Sequence, residues 1–161
     1  MSADNSWLPD LVLLSDYGGD WLRYLEAVYE IFWHDFVVSP PAMFDGKRFA
    51  LKRHPLEQGK EATFWHLISE GKVEQDRVPD LRRCERIRWP RAIIDADESV
   101  VCRWKIQRGS DQRIVIALED FSYVVVLTDR GEYVLLWTAY QVERNHRRES
   151  LKREYEVCRK G

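Results

Sequence analysis

His66, inside "KEATFWHLISEG", is the residue of this chain whose type and setting best suit proton transfer. An imidazole with a reference pKa of about 6.5 can give or take a proton near neutrality. At helical spacing Phe64, Leu67 and Ile68 turn toward a core, while Thr63 and Glu70 lie three and four residues away. His66 therefore borders a polar face, either as a general acid or base or as a histidine at the edge of a core. Of the other histidines, His34 in "IFWHDF" reads as structural, flanking the core and bonded to a backbone group. His54 reads as solvated in a loop, and His146 in "ERNHRRE" as either surface or phosphate-facing.

Arginine is concentrated nearby in "PDLRRCERIRWPR". Arg82 and Arg86 are four residues apart and share a face of a helix, with Arg83 beside them. Such a face is either solvated and partly paired with Glu85 or a phosphate clamp, since a planar guanidinium grips phosphate with two parallel hydrogen bonds. Trp89 reads first as a packing residue and second as a base-stacking one. A second hydroxyl-bearing stretch, "YVLLWTAY", places Thr138 and Tyr140 on one face of a strand, about 7 Å apart. Strict alternation groups them with Val134 and Leu136, and puts Tyr133, Leu135 and Trp137 on the opposite face. A threonine can orient a phosphate oxygen and a tyrosine can exchange a proton with a reacting oxygen; both can equally be satisfied hydroxyls at a sheet edge. Lys60, Arg130, His146 and Arg147 complete the candidate phosphate-binding set, with Arg130 expected at the far end of that strand.

Other chemistries have no foothold in the motifs. The chain has no HExxH, paired CxxC, EF-hand loop, Gly-rich phosphate loop, dinucleotide fingerprint or GxSxG elbow, so neither a metal site nor a cofactor is expected. Cys84, Cys102 and Cys158 are scattered and odd in number, which disfavours a disulfide framework and suits a reducing cytoplasm. No apolar run is long enough to span a membrane, and "MSADNSWLPD" lacks the basic and apolar regions of a signal peptide. The net charge of −2 hides a division: residues 1–40 carry seven acids and one base, and the remainder carries 24 bases and 20 acids. An acidic head on a basic body is consistent with an anionic ligand on the body.

The elements that must position these residues follow from periodicity. A chain of 161 residues, 45% hydrophobic, suits one domain, here residues 19–161 behind a loosely ordered leader, 1–18. Asp20 caps a helix over 21–36, with Leu22, Leu25, Tyr29, Phe32 and Phe36 at helical spacing. Asp45-Gly46 marks a tight turn before a strand over 47–52. Short helices are predicted over 60–70, closed by Gly71, and over 80–89, ended or kinked by Pro90. Strands over 99–107, 113–118, 123–127 and 132–140, joined by short polar connectors, predict an antiparallel meander, and 147–158 a closing helix. The fold class is α+β: N-terminal helices packed on an antiparallel sheet of about four strands, with a C-terminal helix.

The stretches "GKEATFWHLISEG", "RRCERIRWPRAII" and "YVVVLTDRGEYVLLWTAY", with the basic tail after them, resemble the barnase–EndoU–colicin–RelE class of RNase-like domains, in particular its phage- and prophage-associated branch. The resemblance covers residues 59–148, and "TFWH" followed later by "WTAY" is its most specific combination. It implies metal-independent cleavage of RNA by attack of the 2′-hydroxyl on the neighbouring phosphorus. On that pattern His66 is the acid or base, Arg83 or Arg86 binds the phosphorane, Thr138 fixes its oxygen, and Tyr140 is a second proton-transfer or stacking group. Arg130 matches the arginine before the family's last strand. The implied partners are RNA, including tRNA or ribosome-bound RNA, and an inhibitor protein of the antitoxin kind. The calculated pI near 6.1 departs from the strongly basic character of many free RNase toxins. A non-catalytic nucleic-acid or protein-binding module on the same fold is the alternative reading.

Overall fold

The structure, a computed structural model, describes residues 4–70 and 78–160. Asp20 caps helix α1 (Trp21–Trp33), its carboxylate accepting backbone N–H bonds from Leu22 at 3.1 Å and Arg23 at 3.3 Å. Tyr24, Leu25, Val28 and Phe32 form its buried stripe. The predicted helix continues past Trp33 as one wider turn, His34–Val38, which carries Phe36 into the core. That turn leaves His34 exposed, 3.6 Å from the Asp35 carboxylate, so His34 does not flank the core as expected.

The described part of the leader lies against the body. Within residues 4–18, Val12 is buried and exchanges backbone contacts with the body: its N–H donates to Glu85 O, and its carbonyl accepts from the Tyr24 hydroxyl at 2.8 Å. Trp89 Nε1 donates to Pro9 O at 2.9 Å. Apolar residues of the leader found a groove between α1 and the arginine-rich helices, a long-range event that local composition does not signal.

The four predicted strands are present as β5 (Val101–Arg108), β6 (Asp111–Leu118), β7 (Tyr123–Asp129) and β8 (Tyr133–Gln141), paired antiparallel in sequence order. They form only part of a six-stranded mixed sheet. β1 (Met43–Phe44) and β2 (Lys47–Ala50) are a hairpin turned at Asp45 and Gly46, both at positive φ, as the Asp-Gly pair requires. β2 then lies parallel to β8, with Phe49 opposite Val134. A parallel partner some eighty residues away leaves no local signature, so the meander was legible and its extension was not.

Helix α2 (Ala62–Ile68) is shorter than predicted because Ser69–Glu70 (β3) leaves the helix to pair with Val78–Pro79 (β4). Gly71 lies outside the described residues. The single helix predicted over 80–89 is two: α3 (Leu81–Glu85), capped by Asp80, and α4 (Trp89–Asp95). Pro90 does not end a helix but begins one, because the first turn needs no backbone N–H from it. The closing helix α5 (Asn145–Lys160) starts two residues earlier than expected and runs two longer.

Both sheet faces are covered, unequally. The larger core joins α1 to α4 with Ile114, Ile116, Val125, Leu127, Val134, Leu136 and Ala139. The smaller, under α5, contains Trp104, Val115, Phe121, Val124, Val126 and Leu151. β7 is buried on both faces, which explains its unbroken apolar run. Each fully buried side chain of this size is worth roughly 1.5–3 kcal/mol. Among the described residues no helix is long and apolar enough to cross a membrane.

One irregularity governs β8. Leu136 pairs with Leu127 and Thr138 with Val126, leaving Trp137 as the extra residue of a β-bulge. Thr138 and Tyr140 do share a face, but it is the α5 side with Val124 and Val126, and not the core side with Val134 and Leu136. Ala139 returns to the core side.

Candidate functional site

Past Leu135, β2 has ended, and the remainder of β8 meets α2 instead. The Thr138 hydroxyl donates to the backbone carbonyl of His66 at 3.1 Å. The Arg83 guanidinium, from α3, donates to Ser69 O at 2.6 Å and, at 3.5 Å, to the same His66 carbonyl. It also lies over the Tyr140 ring, 5.5 Å from the centroid. The His66 ring packs edge-on against Trp137 with centroids 4.9 Å apart. Carbonyls at the end of a helix lack intrahelical donors, so a cation and a hydroxyl are suitable partners there. His66, Arg83, Thr138 and Tyr140, distant in sequence, therefore meet at the C-terminal end of α2.

The His66 side chain is nevertheless inside the protein, with the residue only 4% exposed. The Thr138 hydroxyl is already engaged as a hydrogen-bond donor to a backbone carbonyl. Tyr140 is half-buried and faces an open cleft of about 450 Å³ between the start of α3, the end of β8 and the start of α5. Arg82, Arg83, Arg144 and Arg147 line this cleft with Tyr140 and Gln141. Glu70, Asp80 and Glu143 bring negative charge to its rim. Much of that charge is committed: Asp80 caps α3, Arg83 serves α2, and Arg82 pairs with Glu85 at 3.0 Å. Arg144 and Arg147 have no ion-pair partner among the described residues, and the first-turn amides of α5 add to their positive potential. Gln141 Oε1 is buried without a hydrogen-bond partner. The uncommitted cations of the cleft are therefore Arg144, just before α5, and Arg147 in its first turn.

Other candidates lie elsewhere. Arg86 follows the last residue of α3 and has left helical geometry, so it no longer shares a face with Arg82. Its guanidinium donates to Arg82 O at 3.1 Å and stacks over Trp89, its side chain 13% exposed, away from the cleft. Arg83 reaches the site in its place. Lys60 is buried between α1 and α2, its Nζ 2.6 Å from Glu26 and 5.1 Å from the Tyr29 ring centroid. Arg130 sits at the β7–β8 turn, 3.6 Å from Asp111, at the opposite end of β8 as its position in the turn implied. His146 is exposed on the first turn of α5, next to Arg147 but not lining the cleft.

Arg144, Gln141 and Trp137 were missed. Arg144 belongs to the basic run "ERNHRR", a visible signal; the placement of Trp137 depends on the bulge and had none. Cys84, inside α3, is not a nucleophile: burial pushes its thiol up to about 12, so it stays protonated. No group of three or more His, Cys, Asp or Glu side chains that could hold a metal ion occurs among the described residues. No family model, curated protein or solved structure matches the chain.

Proposed function

We propose that the chain is a metal-independent endoribonuclease-like domain whose reacting phosphate lies in the cleft beside Tyr140. The observation that carries this reading is the meeting of His66, Arg83, Thr138 and Tyr140 at one end of α2. Arg144 and Arg147 hold non-bridging phosphate oxygens, bidentate where the planar fork permits. The substrate's 2′-oxygen attacks phosphorus as its proton passes to His66, whose buried ring has to turn out past Trp137 to reach the cleft. The 2′-O–P bond forms, the P–O5′ bond breaks, and Tyr140 protonates the departing 5′-oxygen. The products are a 2′,3′-cyclic phosphate and a 5′-hydroxyl. Thr138 is a positioning residue here, since its proton is engaged by the His66 carbonyl. Arg83 likewise orients the Tyr140 ring.

The burial of the His66 side chain favours a second reading, a phosphate- or nucleic-acid-binding module without proton transfer. The two separate cleanly. Total tRNA and rRNA are incubated in EDTA with wild type, His66→Ala and Tyr140→Phe. Cleavage by wild type that leaves cyclic phosphate ends, lost in both variants, supports the nuclease. Intact RNA throughout, with salt-sensitive binding by all three proteins, supports the binding module.

A further inference from the structure

The sheet face under α5 is not wholly covered. Near Trp104 and Phe121 it is sealed by Leu151 and Tyr155. Toward Ile106 and Arg113 it opens into a hollow of about 170 Å³, which has Tyr140 and Arg147 as walls in common with the larger cleft. Arg113 projects from β6, paired in register with Ile106 and Thr128. Its Nε is buried and has no hydrogen-bond partner, and the side chain has no ion pair among the described residues. Its guanidinium lies 6.0 Å from the centroid of the Trp137 ring. Arg108 adds a second cation to the same hollow. Glu154, its acid, is already engaged as the acceptor of Trp104 Nε1 at 2.7 Å.

A planar fork at the wall of an open hollow, with no ion pair of its own among the described residues, is shaped for a phosphate or carboxylate. We propose that this hollow is a second phosphate subsite, in which Arg113 takes the phosphodiester adjacent to the one held in the Tyr140 cleft. Trp137, half-exposed between His66 and Arg113, offers its ring to an unstacked base. The ligand class is therefore single-stranded nucleic acid long enough to carry two consecutive phosphates. This subsite rests on the nuclease or binding reading of the neighbouring cleft.

The test uses fluorescein-labelled 2′-deoxythymidine oligonucleotides of two and four residues, which lack the attacking hydroxyl and so report binding alone. Their affinities are measured in EDTA across a salt series for wild type, Arg113→Gln, Arg108→Gln and, as a remote charge control, Arg23→Gln. Wild type is expected to bind the four-residue strand at least tenfold more tightly than the two-residue one. Arg113→Gln is expected to abolish most of that advantage and to flatten its salt slope by about 0.7, the contribution of one single-strand phosphate contact. Arg108→Gln, which alters an exposed residue and so cannot disturb the core, is expected to reduce the advantage about threefold. Retention of the full length advantage and slope in both hollow variants overturns the subsite, as does failure of wild type to bind either strand. A parallel incubation with the ribonucleotide four-mer separates the two claims. Length-dependent binding with intact RNA sinks the nuclease and keeps the subsite; cleavage without length preference does the reverse.

Discussion

The two ends of β8 are chemically opposite. At the turn end, Lys47 reaches Asp129 with contacts of 2.8 and 2.7 Å, Gly131 N–H donates to the same carboxylate, and Arg130 faces Asp111. Lys47 and Arg130 there have acids beside them. At the far end, Tyr140 opens on a cleft where Arg144 and Arg147 have no acidic partner among the described residues. Charge that is paired within the chain holds the fold; charge left unpaired on a rigid strand end is available to something else. The contrast predicts that substitutions at the turn end change stability and those at the cleft end change binding and activity.

The largest expected effect tests the cleft end. Tyr140→Phe should lower RNA cleavage by 10²- to 10⁴-fold, the usual worth of a positioned proton donor, with an unchanged urea midpoint. A drop in stability matching the drop in activity would instead make Tyr140 a packing residue. Arg83→Ala comes next and breaks the contrast in an instructive way, because Arg83 is the cleft arginine that is used internally. It should cost roughly 1–3 kcal/mol in urea unfolding, by stripping the donor from Ser69 O and weakening the hold on His66 O.

Asp129→Asn tests the turn end. Hydrogen bonding by Lys47 holds the Asp129 carboxyl below its ordinary value of 3.8. A depressed folded-state pKa means that the unfolded chain binds the proton more tightly. The stabilisation is therefore complete above the ordinary value and is lost as pH falls through the folded one. Asp129→Asn should cost roughly 1–2 kcal/mol at neutral pH and blunt this part of the acid-side decline, with RNA binding untouched. The smallest stability effect belongs to Arg144→Gln/Arg147→Gln, expected within about 0.5 kcal/mol of wild type. The same pair should flatten the salt dependence of single-strand binding by about 1.4, since two phosphate contacts are removed.

Where local chemistry decides, the sequence was readable. Asp20 before an apolar stripe, Asp45-Gly46 between apolar residues and the alternation of the four meander strands each state their structure within a few residues. What escaped depends on distant partners. Nothing around Phe49 announces a parallel neighbour in β8, and nothing in "LPDLV" announces that Val12 will be buried against α1 and α3. The site divides along the same line. Residue type pointed to His66, Arg83, Thr138 and Tyr140, which do gather at one place. The choice between Arg83 and Arg86 rested on a helix continuing one residue further than Glu85, where α3 ends.

The bulge in β8 has a consequence for deletion. Leu136 and Thr138 occupy successive rungs opposite Leu127 and Val126, so the ladder counts past Trp137 as though it were not there. Excising that single residue would leave every later side chain on its present side of the sheet, whereas excising Ala139 with the bulge kept would invert the segment beyond. Trp137 is therefore a detachable part, an aromatic ring added beside His66 that the strand can lose without learning a new alternation.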